Sequence, residues 1–430
     1  MSIAAAPASL YVEKTGNVTS QETVDRYLEE LNQAKSRVPT LSIRDRIAIA
    51  SACLDGMMAH VDEWVAAACK AKGLKLGSSL GSEELANGPL ATARYLRLIM
   101  RSLADIEAYG VPQLPGEITQ GPDGKLRVQV VPTRGLFDAI AFTGFKAHVV
   151  MEEGVTKENL SSTMASYYRD GCRDTGIALV LGAGNVSSIA PTDAFSKFFQ
   201  EGKVCLLKMN PVNEYLGPIF EKAFVSLIDA GYLRVIYGGA DIGAYAIGHD
   251  LVDEVHITGS VYSHDTIVWG PPGPERDRRK AEEAPLLAKK ITSELGNVSP
   301  WIMVPGPYKD KELAYQAENL VASVVNNGSF NCVATKCVIT WKNWPQRQQF
   351  LDKVEEVLRT VPPRKAYYPG AIDRFKKFAK KEPAGVEQGA LPWTLIRSVD
   401  PNKDPLYFQE ESCGGVFVET AIDAPSEAES

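Results

Sequence analysis

Histidine is scarce in this chain, with five among 430 residues, and no HExxH pair occurs. CxxC is missing as well. The seven cysteines (Cys53, Cys69, Cys172, Cys205, Cys332, Cys337 and Cys413) are odd in number and scattered. No zinc-ligand spacing follows from these residues, so no metal is expected. Dispersed thiols also do not make a secreted disulfide framework, and reduced cysteines in a cytoplasmic setting are expected. No apolar run reaches the length of a membrane helix, and the opening MSIAAAPASL has neither the basic start nor the apolar stretch of a secretory leader. Basic residues are in deficit, 46 against 53 acidic ones, for a net charge of −7. That balance argues against nucleic acid as a partner. No internal repeat is visible.

What is present is an ordinary globular composition, 45% hydrophobic and 23% charged, on a chain long enough for two or more lobes. Residues 20–35 and 42–72 have helical periodicity. Ser42 stands as N-cap before IRDRIAIASACLDGMMAHVDEWVAAACKAKG, and Gly73 and Gly77 end the run. A further helix is expected over 82–109, followed by the Pro/Gly-rich segment 110–124. LRVQVVP and GLFDAIAFTGF read as two short extended segments about Arg134 and Gly135, a hairpin or arm. Residues 150–176 are polar and irregular.

From Gly176 the texture changes. GIALVLGAG, KVCLLKMN, YLRVIYGG and DEVHITGS are short apolar strands, with helical stretches at 187–201 and 213–230 between them. This alternation predicts an α/β fold with a parallel sheet covered on both faces. Residues 261–290 read as a solvated loop and short helix. ITSELGNVSPWIMV then opens a second α/β part that includes a helix over 344–361. The end, AIDAPSEAES, is small and acidic with nothing to bury.

GAGNVSS (182–188) follows a strand and opens a helix, a place where backbone N–H groups can receive phosphate. As a dinucleotide fingerprint it is incomplete. Ser187 stands where a third glycine or an alanine belongs, and the next strand ends in Lys208 rather than an acidic residue. GSSLG (77–81) matches GxSxG, but a helix precedes it where the nucleophile elbow needs a strand, so Ser79 reads as a chance match. His256 reads as a satisfied strand histidine. Glu294, in SELGN, is either a structural carboxylate or a general base whose pKa is raised by partial burial. NNGSFNC (326–332) leads polar residues into one cysteine, as suits a nucleophile at an exposed loop tip. On its own residues, Cys332 stays open between reactive and inert, whereas Cys337 reads as a core thiol.

Taken in order, Asn185 in GAGN, Lys208 in LLKMN, ITGS (257–260), SELG (293–296), the run to Cys332, and Glu411 in ESCGG resemble the aldehyde dehydrogenase superfamily. The likeness covers most of the chain and is best over about 176–416. It implies a Rossmann-type cofactor lobe (1–120 and 175–294), a β arm for oligomerisation (121–174) and a catalytic lobe (295–430). By the same resemblance Cys332 is the nucleophile, Asn185 the side-chain donor to the oxyanion, and Glu294 the base that activates water. Lys208 and Glu411 are implied to hold the ribose hydroxyls of NAD or NADP, with Gly259 and Ser260 at the pyrophosphate and Gly296 beside the cofactor. The implied substrate is a small-molecule aldehyde, its identity left open. CoA would replace water in an acylating relative, and a silent member kept for binding is the remaining alternative.

Several positions depart from the family's pattern. Asn297 stands where a second glycine follows Glu-Leu-Gly, Ser-Cys-Gly-Gly follows Glu411, and Pro211 stands where a glutamate often favours NAD. The chain stops 19 residues after Glu411 (430 − 411). A shortened catalytic lobe and an unpaired edge on the 125–150 arm are therefore expected, with a homo-oligomer if the C-terminus is complete.

Overall fold

The computed structural model describes residues 18–429, so the opening MSIAAAPASL, read above as no leader, lies outside the described residues. Three strands form an arm: β1 (Ile118–Gln120), β2 (Leu126–Val131) and β3 (Ala147–Val150), antiparallel in that order. The next five are β4 (Gly176–Leu181), β5 (Lys203–Lys208), β6 (Leu233–Ile236), β7 (Glu254–Gly259) and β8 (Lys290–Leu295). They make a wholly parallel sheet in the order β6-β5-β4-β7-β8. After these come β9 (Ser299–Ile302), β10 (Thr335–Trp341), the short pair β11 (Arg364–Lys365) and β12 (Ala390–Leu391), β13 (Thr394–Ile396) and β14 (Val416–Ile422). A second parallel sheet takes four of them in the order β13-β14-β10-β9. The fold is α/β, as the alternation predicted.

β4 and β5 are buried along nearly their whole length, which is why they read as unbroken apolar runs rather than alternating ones. Helices Gln21–Lys35, Ile43–Ala59 and Ala91–Tyr109 share one core with this sheet. In the four-stranded sheet the side chains alternate between two cores. Cys337, Val416 and Val418 face one, and Val338 and Phe417 face the other. Cys337 is thus the core thiol expected, pushed up to about 11 by burial.

Ser42 caps its helix in a reciprocal box with Asp45. The single helix expected over 42–72 is two, because His60 leaves helical geometry and its Nδ1 lies 2.8 Å from Gly56 O. Gly73, at φ +67, ends the second with a Schellman closure from Leu74 N to Cys69 O. The helix expected over 82–109 is also interrupted. Gly88 is non-helical and Pro89 has no N–H to offer, so the regular helix starts at Ala91.

Two further expectations are corrected. GLFDAIAFTGF is not extended: Leu136–Ala141 is a helix, and the third arm strand comes later, at β3. The cause is Asp138, whose buried carboxylate accepts Thr133 N at 3.0 Å and Arg94 Nη2 at 2.7 Å, folding the segment back onto Ala91–Tyr109. The acidic end is not bare either. Ala424 is buried, and its carbonyl accepts Trp341 Nε1 at 3.1 Å. On the arm, Leu136, Phe137, Ile140, Phe145, Val149 and Val150 are exposed, and β3 is an edge strand.

Candidate active site

The cysteine loop is built on a rare backbone. Helix Asp310–Val325 ends, and Asn327, Gly328 and Ser329 follow at φ +52, +68 and +66. Glycine accepts this region freely, but a non-glycine residue there costs about 1–3 kcal/mol. Side chains hold it. Asn327 Nδ2 donates to Asn331 Oδ1 at 2.9 Å, and Asn331 Nδ2 to Asn326 Oδ1 at 2.7 Å. Lys336 Nζ donates to Ser329 O at 2.8 Å. The polar approach to Cys332 is therefore not an exposed one: residues 327–331 are all buried, Cys332 is half-buried, and Val333 is out in solvent.

Asn185 comes to this loop from the carboxyl end of β4. Its Nδ2 donates to Phe330 O at 2.9 Å, two residues before the thiol. Gly182 and Gly184 are not open to a phosphate. A Cβ at the first would lie 2.9 Å from Ala190 Cβ, and at the second 2.7 Å from Asn210 Oδ1. These glycines pack the loop tightly against its neighbours, and Trp64 Nε1 fixes Ser187 Oγ at 3.0 Å.

The charges of two carboxylates, Glu411 and Glu294, act on Cys332. Burial raises the thiol's pKa first and Glu411 next, with a smaller push from Glu294, while the backbone N–H groups of Cys332 and Val333 pull the other way. Glu411 is partly buried, and desolvation raises its own pKa against the cations Lys336 and Arg374. It lies over Gly296, where a Cβ would be 1.9 Å from Glu411 Oε2. Of the two readings of Glu294, the geometry fits an exposed strand residue. It lies within β8 and is exposed, so the partial burial of the other reading is not there. Asn297, the residue in place of a glycine, donates to Cys332 O at 3.1 Å, with Ser299 Oγ at 3.2 Å from the same oxygen.

Lys208, Gly259 and Ser260 sit together at the carboxyl edge of the five-stranded sheet, beside the point where strand order reverses at β4 and β7. An open α/β sheet takes ligands at that crevice. The Lys208 ammonium is buried with two carbonyl partners, Gly238 O at 2.7 Å and Met209 O at 3.3 Å, and burial pulls it down to about 8. Ser260 caps helix Val261–Trp269, accepting Ser263 N at 3.1 Å. A Cβ at Gly259 would meet nothing nearer than 3.5 Å, and at Gly243 it would reach Lys208 Cε at 3.4 Å.

Solved structures match this fold over nearly the whole chain. An aldehyde dehydrogenase from Mycobacterium tuberculosis, in complex with NAD+, aligns with a TM-score of 0.65 at 15% identity, over 96% of this chain and 75% of that one. This is the aldehyde dehydrogenase fold. An aldehyde dehydrogenase C variant from Pseudomonas syringae, in complex with NAD+ and octanal, aligns at 0.63 and 16% identity, over 96% and 74%. Glyceraldehyde-3-phosphate dehydrogenase GapN from Methanocaldococcus jannaschii, in complex with NADP, gives 0.65 and 13%, over 97% and 80%. In sequence, 155 residues are 29% identical to 4-trimethylaminobutyraldehyde dehydrogenase A of Danio rerio, covering 36% of this chain and 26% of that protein. The match thus spans about a quarter of that curated relative. No family model matches the chain.

On this fold, Asn185 is hydrogen-bonded to the Cys332 loop and the charges of Glu411 and Glu294 act on the thiol, while Lys208, Gly259 and Ser260 lie at the ends of β5 and β7. Ser79 lies in a turn after a helix, not after a strand. His256 is satisfied, its Nδ1 2.8 Å from Thr292 Oγ1. Sequence reasoning missed Lys72, Glu84 and Tyr367, which lie behind Asn185 and Asn327. One signal was available: Trp64, Ala68 and Lys72 recur every fourth residue, placing a lysine on a buried helix face.

Proposed function

We propose that this chain oxidises an aldehyde to a carboxylic acid with NAD or NADP. The observation that carries the proposal is the convergence of Asn185 Nδ2, 2.9 Å from Phe330 O, on the loop that presents the half-buried Cys332. Sγ of Cys332 adds to the aldehyde carbon. The oxyanion that develops takes an N–H from Asn185 and the backbone N–H of Cys332, and one such donor is worth about 2.7–4 kcal/mol. The thiohemiacetal would give up its hydride to the bound nicotinamide and become a thioester on Cys332, and Glu294, exposed on β8, activates the water that releases the acid.

The sheet edge fits a dinucleotide. Lys208 is a buried cation that donates to two carbonyls, Gly238 O and Met209 O, and is suited to ribose hydroxyls, and Gly259 leaves room for the pyrophosphate beside Ser260. When bound, the nicotinamide supplies the hydride acceptor. Glu411 lies against Gly296, and its charge acts on the Cys332 thiol.

The test is absorbance of the reduced nicotinamide, with purified protein, short and long aldehydes, and NAD or NADP in turn. A rise that Cys332→Ala abolishes is expected. A rise that survives the substitution, or none with any aldehyde, overturns the proposal. Adding CoA to the same assay separates hydrolysis from acyl transfer.

A further inference from the structure

Asn185 is itself held from behind. Its peptide carbonyl is approached by three donors: Lys72 Nζ at 3.1 Å, Asn327 Nδ2 at 3.0 Å and Tyr367 OH at 3.2 Å. A carbonyl oxygen has two lone pairs, so this acceptor is saturated and its plane has little freedom. Of the three, Lys72 comes from farthest outside the site's own elements. It ends helix Val61–Lys72 in the N-terminal part of the chain and is 4% exposed.

The ammonium has three N–H groups and three acceptors, namely Glu84 Oε1 at 2.8 Å, Asn327 Oδ1 at 2.9 Å and Asn185 O. One cation therefore ties the carbonyl of Asn185 to the turn that carries Cys332. Burying this charge is unfavourable, and desolvation lowers its affinity for the proton while Glu84 opposes. An apolar side chain of similar length would fill the same space at less cost, so packing alone does not account for a lysine here. Direction does: only a donor can orient a carbonyl.

We propose that Lys72 is a positioning residue for the Cys332 centre, fixing the peptide of Asn185 and through it the amide that receives the oxyanion. The inference rests on the roles proposed above for Cys332 and Asn185. A misplacement of the amide by about 1 Å is enough to lose most of its effect on the transition state.

The test compares two reactions of the same thiol. Hydrolysis of 4-nitrophenyl acetate passes through an oxyanion, whereas alkylation by iodoacetamide is a displacement at a saturated carbon and forms none. Neither uses a cofactor. Lys72→Met leaves Glu84 buried without its cation, so Lys72→Met with Glu84→Gln is the second variant. For both, ester hydrolysis should fall at least tenfold while the alkylation rate at Cys332 stays within about twofold. In an Asn185→Ala background the same changes should add less than about threefold, because the group being positioned is already gone. Equal losses in both reactions would mean that Lys72 props the whole loop, and would overturn the proposal. So would a double variant that hydrolyses the ester like wild type while Asn185→Ala does not. If Cys332→Ala still hydrolyses the ester at the wild-type rate, the underlying reading falls and this inference with it.

Discussion

Lys208→Met should change how stability depends on pH, and in one direction. Burial pulls the Lys208 ammonium from the usual lysine value of 10.5 to about 8, against the carboxylates of Glu214 and Asp241. The folded protein therefore holds this proton less tightly than the unfolded chain. Below about pH 8 both states carry the proton, and the folded state bears the whole cost of the buried charge. Between about 8 and 10.5 the unfolded chain binds more protons, so stability rises with pH. The gap, 10.5 − 8 = 2.5, corresponds to about 3 kcal/mol at roughly 1.36 kcal/mol per unit. With the side chain only 8% exposed, solvent screens little of it. Urea unfolding of wild type and K208M reads the effect as a difference, which cancels every group the two proteins share. Wild-type stability relative to the variant should grow by about 2–3 kcal/mol between pH 7 and pH 10. Parallel curves, or a difference that shrinks with pH, would refute the buried-cation account and remove the reason for placing a cofactor's hydroxyls at Lys208.

Asn185→Ala should lower aldehyde turnover about 10²–10³-fold with cofactor affinity unchanged, read by steady-state rates and by fluorescence of the bound reduced nicotinamide. Because the Glu411 carboxylate raises the pKa of Cys332, Glu411→Gln should move the pH midpoint of iodoacetamide labelling downward; a midpoint that stays or climbs contradicts the electrostatics. Gly296→Ala puts a methyl 1.9 Å from Glu411 Oε2, so it should shift that midpoint in the same direction and weaken cofactor binding. Trp64→Phe removes the donor to Ser187 Oγ and should cost about 1 kcal/mol in thermal or urea unfolding.

The sheet was legible because its strands are buried on both faces, and such strands write themselves as short apolar runs between helices. Ser42 and Gly73 were legible because capping is local chemistry. The helix breaks at His60 and Gly88 were not, since periodicity continues across both and the cause lies in contacts. A Cβ at Gly88, for example, would lie 2.6 Å from Ser187 Oγ, about a hundred residues away. GLFDAIAFTGF misled for a related reason: its apolar residues point to solvent, so pattern carried no information about a core. At the site, Cys332 and Asn185 were singled out as members of an ordered set, but the packing of NNGSFN was not foreseen. Those side chains serve one another and Lys72 rather than the solvent, and pairings across such separations leave no local trace.

The seam at Lys72 also has a consequence for the order of events in biosynthesis. Lys72 and Asn327 lie 255 positions apart in the chain, yet each completes the other's hydrogen bonding. At a ribosomal rate of about 5–20 residues per second, Lys72 and Glu84 wait roughly 10–50 s before their partner exists. For most of that interval the sheet they pack against, β4 to β8, is itself still being translated, and its polar keystone at Asn327 follows later still. The candidate site therefore cannot mature in stages along the emerging chain; it closes only once the turn before Cys332 and Tyr367 beyond it have been translated.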